Sequence, residues 1–206
     1  MANANVAFGF KPVGKHGSSP ATQGTSQYFI ASDASAIFQG SPVKAELTGG
    51  TIAIGAATGN GDQLVGVFAG CEFVDATTGK LRFSNTWPGS GSANTNHDIK
   101  GFVYDDPAQR FIIASDGTNT DRATAKADIF KTADIASGTS GNTTTGISSA
   151  VLDISTAENT DTSNVVMILG IHEDVTNADH SAAGVSYIVK INNHALNSSD
   201  ADATAS

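Results

Sequence analysis

From Leu64 to Ala114 the chain alternates apolar runs with polar punctuation. Three runs, LVGVFAGCEFVD, LRFSNTWPG and IKGFVYDDPAQRFIIA, hold the single Cys (Cys71), the single Trp (Trp87) and five of the ten Phe. Val65, Val67, Phe68, Phe73, Phe102, Val103, Tyr104, Phe111, Ile112 and Ile113 are β-branched or aromatic, and such side chains suit a pleated, half-buried surface. Asp75-Ala-Thr-Thr-Gly79 predicts a turn that folds the first two runs into a hairpin, with Gly79 free to take φ > 0. Asp105-Asp106-Pro107 predicts the end of the next strand, because Pro107 has no N–H for a ladder and biases Asp106 away from helix.

The flanking segments extend the pattern. YFIA, AIFQGSPVKA and GTIAIGAA, within 28–60, read as short strands broken at Ser32-Asp33, Gly40-Ser41-Pro42 and Gly49-Gly50, and Gly59–Asp62 as a tight connection. SSAVLDIS, NVVMILGIHE and VSYIVKINNH predict three more strands. Val165 to Ile171 is nearly continuous apolar, as expected of a strand covered on both faces. Between these groups, Thr120 or Asp121 can cap an alanine-rich stretch, which predicts one helix, or a turn and a half of one, within about 122–136. The fold expected is mainly β: an antiparallel β-barrel or sandwich with one short helix, an extended N-terminal arm and a polar C-terminal tail.

The expected boundaries are an arm over 1–27, a β-rich body over 28–196 and a polar acidic tail over 197–206. In the arm only Val6, Phe8, Phe10 and Val13 are large and apolar. Val6, Phe8 and Phe10 alternate as in a strand without a neighbouring turn to pair them. This predicts an arm that stays loose in the monomer and adds itself to a partner.

Composition narrows the function. Charged residues are 15% of the chain, the net charge is −9, and the polar remainder is mostly Thr, Ser, Asn and Gly. Asp greatly outnumbers Glu, which favours turns over helices. With three Arg and eight Lys the chain is poorly equipped to neutralise phosphates, so no nucleic-acid partner is expected. One Cys excludes an internal disulfide and a multi-Cys metal site, and it reads as a buried small hydrophobe. The opening Met1-Ala-Asn-Ala-Asn has no basic region followed by an apolar run, and no apolar run has the length of a membrane span. We therefore expect synthesis in a cytoplasm, no general secretory export and no membrane partner.

Catalytic chemistry finds little support. Asp105 and Asp106 are adjacent, so on a strand they point to opposite faces, and turn-making beside Pro107 is the stronger reading. Calcium is the functional alternative for that turn, without EF-hand spacing behind it. A Cys71–His172 dyad and a metal-dependent hydrolase using Asp105, Asp106 and His172 lack any surrounding signature. His97, His180 and His194 read as solvated. Gly59-Asn-Gly and Gly89-Ser-Gly lack the Lys and the helix of a phosphate loop. Trp87, before a proline at a strand end, reads first as a rim aromatic over a barrel mouth and second as a sugar-stacking platform. No catalytic residue, metal or cofactor is expected.

The segments MANANVAFGFKPVG, IFQGSPVKAELTGGTIAIGAA, LVGVFAGCEFVD, FSNTWPG, VYDDPAQRFII, GNTTTGISSAVLDIS, ILGIHED and KINNHAL, in that order, resemble the cement or decoration proteins of tailed-bacteriophage heads. The resemblance is to those encoded beside the major capsid gene in short-tailed phages and cyanophages, and it extends to about Leu196. The departures are the Gly89–Asn96 insert, the 116–126 segment and the acidic tail. The resemblance implies a virion structural protein on the outer capsid surface, made in the host cytoplasm. Its implied partners are the major capsid protein and itself, as a homotrimer over local threefold axes. The residues expected to contact capsid or a neighbouring protomer are Val6, Phe8, Phe10, Lys11, Trp87, Tyr104, Asp105 and Asp106. The alternative is a virion surface adhesin or head fibre that binds host glycans through Trp87 and Tyr104.

Overall fold

The computed structural model describes residues 3, 6–17, 24–58, 63–117, 119–158 and 164–197. The expected connection at Gly59–Asp62 and the acidic tail beyond Asn197 lie outside them. The strands are β1 (Lys11–Lys15), β2 (Ser26–Ile30), β3 (Pro42–Glu46), β4 (Thr51–Ile54), β5 (Leu64–Val74), β6 (Leu81–Ser84), β7 (Ile99–Tyr104), β8 (Gln109–Ala114), β9 (Thr132–Ala136), β10 (Gly141–Asn142), β11 (Ile147–Ser148), β12 (Val151–Glu158), β13 (Val166–Ile171) and β14 (Ser186–Ile191). One α-helix, α1 (Arg122–Ala127), and a 3-10 turn at Val175–Asn177 complete the described elements. The protein is mainly β, as the alternation of the chain predicted.

Strands β3-β4-β2-β7-β5 form a closed five-stranded barrel, because β3 pairs with β4 on one side and with β5 on the other. β6 adds to the far side of β5. The second sheet has the order β1-β8-β14-β13-β9-β12. Every barrel strand lies between β1 and β8 in sequence, so the barrel is inserted between the first two strands of the sheet.

β5 joins the two units. Val65, Phe68, Cys71 and Phe73 face the barrel core with Ile37, Val43, Ile52, Trp87 and Val103. Leu64 and Val67 face the core over the sheet, with Phe111, Ile113, Ile135, Leu152, Ile168, Tyr187 and Val189. A strand that serves two cores keeps little polar surface, which is why LVGVFAGCEFV reads as an apolar run broken only by Glu72. Its hairpin to β6 closes as predicted. The Asp75 carboxylate accepts the backbone N–H groups of Thr77 (2.9 Å) and Thr78 (2.8 Å), and Gly79 sits at φ 66°. Those bonds hold the Asp75 carboxyl below its ordinary pKa, the Thr78 N–H contributing most.

The helix is the shorter of the two forms predicted. Asp121 is extended and accepts the Thr124 N–H at 2.8 Å, the cap read from the sequence. The helix stops at Asp128, and residues 132–136 form strand β9 instead. Phe130 at φ 72° turns the chain, donates its N–H to the Ile168 carbonyl at 2.8 Å, and delivers Ala133 and Ile135 to the core.

The loose arm expected over 1–27 is corrected in its described part. β1 pairs with β8, Lys11 opposite Ile112 and Lys15 opposite Gln109, with a bulge between Pro12 and Gly14. Phe10 is buried and meets Phe111 edge to face, with ring centroids 5.6 Å apart. Burying such a ring is worth about 1.5–3 kcal/mol. β2, which begins at Ser26, is already a barrel strand. The missing partner was β8, about a hundred residues away and beyond any local turn signal.

A candidate site at the cavity between arm and barrel

Four of the residues singled out from sequence converge. Phe8, Phe10 and Lys11 from the arm and Tyr104 from β7 line one cavity of about 540 Å³, together with Ile112 and His172. A volume of this size is typical of ligand pockets. Among the described residues its basic lining is Lys11 and His172, and no described Asp or Glu lines it. In a chain of net charge −9 that is a local inversion of sign.

The arm reaches this position through close backbone contact. The Phe10 N–H donates to the Gly40 carbonyl at 2.9 Å, and the Gly40 N–H donates to the Phe68 carbonyl at 2.8 Å. A Cβ on Gly9 would lie 2.7 Å from the Gly40 oxygen, so a side chain there would push the arm off the barrel. Upstream, Asn3 is buried. Its amide donates to the Asp179 carbonyl at 2.8 Å, and its side-chain oxygen accepts the Asp179 N–H at 3.1 Å. Asn3 and Phe10 are therefore both fixed on the chain's own body. Val6, between them, is exposed, and Phe8 is half-buried.

Tyr104 does not stand outward on a rim. It packs against the core of the six-stranded sheet while lining the cavity. Asp105 and Asp106, next along the chain, are engaged internally. Asp105 accepts the Tyr28 hydroxyl at 2.7 Å, and burial together with this bond pushes the Tyr28 phenol up to about 12. Asp106 accepts the Ala108 N–H at 2.8 Å and forms an ion pair with Lys15 of β1. The Lys15 bond is the largest of the causes that hold its carboxyl below the ordinary range. The pair makes a turn and ties β1 to it, as turn chemistry suggested. Neither carboxylate is the free partner contact expected of it.

Trp87 is corrected outright. It is fully buried in the barrel core, edge to face with Phe73 at 5.4 Å, and its indole N–H donates to the Ala34 carbonyl at 3.2 Å. A bridge between Ile37 and Trp87 pulls the segment inward, so proline at a strand end did not mean exposure. Neither a capsid partner nor a sugar reaches this ring. Cys71 is buried in the same core, where it donates weakly to the Thr86 carbonyl at 3.4 Å. Burial pushes its thiol up to about 12, the opposite of an activated nucleophile.

His194, expected in solvent, is buried as well. Leu64 pairs with the segment around it: the Leu64 N–H donates to Asn193 and the Ala195 N–H to Leu64. His194 Nδ1 accepts the Leu196 N–H at 3.1 Å, and Nε2 has no hydrogen-bond partner among the described residues. Burial pulls its pKa down against the opposing attraction of Asp105 and Asp106. His194 is thus the histidine set against the acid pair. Among the described residues no group of three or more His, Cys, Asp or Glu side chains is placed to hold a metal ion.

Sequence reading missed one surface. Leu81 and Phe83 of β6 are 57% and 67% exposed, and Phe29 of β2 is 47% exposed. The signal was present in LRFS, where Leu and Phe alternate with a charge although no covering segment is predicted.

The class these observations define is a closed β-barrel inserted into an antiparallel sheet, with a basic-lined cavity where the arm crosses. Comparison with known proteins finds no matching family model, curated protein or solved structure.

Proposed function

We propose that this protein is a decoration, or cement, protein of a phage head. It binds the outer surface of the major capsid lattice, associates with itself as a homotrimer and braces neighbouring capsid subunits. Nucleic acid, membrane and cofactor have no part in this reading, and no residue is assigned a catalytic role. The resemblance of the ordered segments to such proteins supports it, and a β-rich body agrees with it.

The observation that carries it is the cavity of about 540 Å³ bordered by the half-buried Phe8 and by Lys11. Its apolar walls and basic edge suit an extended capsid segment that offers an apolar side chain beside a carboxylate. Many identical sites on one head then act together, and weak single contacts give tight attachment. The glycan-adhesin reading loses one of its two stacking candidates, since Trp87 is inside the barrel, and keeps Tyr104.

The test is a titration of the full chain onto purified heads. Occupancy is expected to saturate at a fixed ratio per capsid subunit, with modest weakening by salt because apolar burial dominates. Phe8→Asp is expected to abolish occupancy while the protein still melts as the wild type does. Binding that never saturates, or occupancy untouched by Phe8→Asp, overturns the reading.

A further inference from the structure

Three of the described strands, β1, β12 and β6, end the two six-stranded sheets, and they differ. β1 carries Lys11, Pro12 and Lys15. β12 carries Asp153 and Glu158, breaks register between them, and is bridged at Leu152 to Ser115, with the Asp116 N–H donating to the Leu152 carbonyl at 3.0 Å. Charges, proline and bulges are the devices that stop one sheet from adding to another. β6 offers Leu81 and Phe83 around a single Arg82. Phe83 also begins a row across the outside of the barrel. It lies opposite Glu72, Glu72 opposite Lys100, and Lys100 opposite Phe29. Glu72 and Lys100 pair at 3.2 Å between the two aromatic rings. An exposed aromatic row thus runs into an unguarded strand edge.

We infer that β6 pairs antiparallel with β6 of a second copy of this chain, about a twofold axis through Phe83. Backbone parity limits the choice to a few registers, and charge chooses among them. The Asp75 N–H donates to the Lys80 carbonyl at 2.9 Å, so Lys80, and Arg82 two residues on, turn their backbone groups toward β5. Leu81 and Phe83 turn theirs to the open edge. A pairing centred on Arg82 also uses those open groups, Leu81 facing Phe83 of the copy, but it sets two guanidinium groups opposite each other. One centred on Leu81 sets Lys80 opposite Arg82. Like charges directly opposite are destabilising. A pairing centred on Phe83 lets the two Phe83 residues exchange both backbone hydrogen bonds. It sets Arg82 against Ser84 and Leu81 against Asn85, with no like charges opposed. The contact is isologous, so it closes at two copies. In a trimeric ring it joins one ring to the next. It depends on nothing in the capsid reading, because it forms in the free protein.

The experiment uses the free full-length chain. Mass photometry over a concentration series is expected to show a dimer, or even-numbered assemblies of a ring, that weaken roughly tenfold or more with Phe83→Asp. Phe83→Ser is the second variant if the charge disturbs folding, which circular dichroism reports. Under mild oxidation Phe83→Cys is expected to give a disulfide-linked dimer. Facing residues of a hydrogen-bonded antiparallel pair have Cα atoms about 5.5 Å apart, within disulfide reach. Cys71 is buried and does not compete. Leu47→Cys, at a position 92% exposed between β3 and β4, is the control and is expected to stay unlinked. A strict monomer, an assembly indifferent to both Phe83 variants, or equal cross-linking at Leu47 overturns the inference. Loss of head binding by Phe83→Asp in a protein that is monomeric when free overturns it too, in favour of a different partner on this edge.

Discussion

β5 and β6 are hydrogen-bonded neighbours joined by one turn, yet their environments are opposite. Along β5 the side chains are buried or half-buried; along β6 Leu81, Arg82 and Phe83 are all exposed. Both strands read as apolar runs. What differs is the number of layers over them: β5 lies between two cores, whereas β6 extends past the closed ring and has a core on neither side. Apolar character in a strand therefore has two meanings in this molecule, and coverage decides between them.

The sharpest way to break this contrast is to truncate one ring in each strand. Phe68→Ala in β5 is expected to lower stability by about 3–5 kcal/mol, whereas Phe83→Ser in β6 stays within about 0.5 kcal/mol when measured below the association range. Urea unfolding of both reads the difference, and equal losses would refute the coverage argument. The same logic places Ile168→Ala, in the sheet core, at about 2–5 kcal/mol and above Leu169→Ala, because Ile168 is fully buried and Leu169 only half so.

A smaller effect is expected from pH. The folded state holds the His194 pKa below its ordinary 6.5, so below that pH the unfolded chain takes up a proton that the folded chain resists. Stability should fall as the pH drops through 6.5 and level off below the folded value. Thermal melting across a pH series should show the decline, and His194→Gln should flatten it. At still lower pH, around and below 3.8, protonation of Asp106 removes its bond to Lys15. Asp106→Asn should remove that acid-side component, and an identical acid limb would show that the pair contributes nothing.

The smallest expected effect concerns the arm. Val6→Ser should leave the melting midpoint unchanged, since Val6 is exposed, whereas Phe10→Ala should lower it clearly. Equal responses would mean that the arm is not docked as described.

Much of the fold was legible because its signals are local. The Asp75–Gly79 turn, the Asp121 cap and the runs of β5, β7, β8, β13 and β14 each follow from residues within a few positions. The errors all concern distant partners. Phe10 looked unpaired because Phe111 lies far along the chain, His194 looked solvated because Leu64 does, and Trp87 looked like a rim because Ile37 was not known to face it. The cavity was half legible. Phe8, Phe10, Lys11 and Tyr104 were chosen for chemistry, and the fold brought them together for reasons of topology.

The insertion of the barrel between β1 and β8 also sets a timetable for synthesis. All five barrel strands lie within residues 26–104, so the ring can close while the remainder of the chain is still on the ribosome. β1 emerges first but has no strand to pair with until β8 follows, and the sheet lacks a central member until β14 at residues 186–191. Through that interval Leu64 and Val67, on the outer side of a finished barrel, wait uncovered. The nascent protein is most prone to aggregate when it is half made with one unit already folded. Slower elongation over the second half of the message would lengthen that exposure, not shorten it.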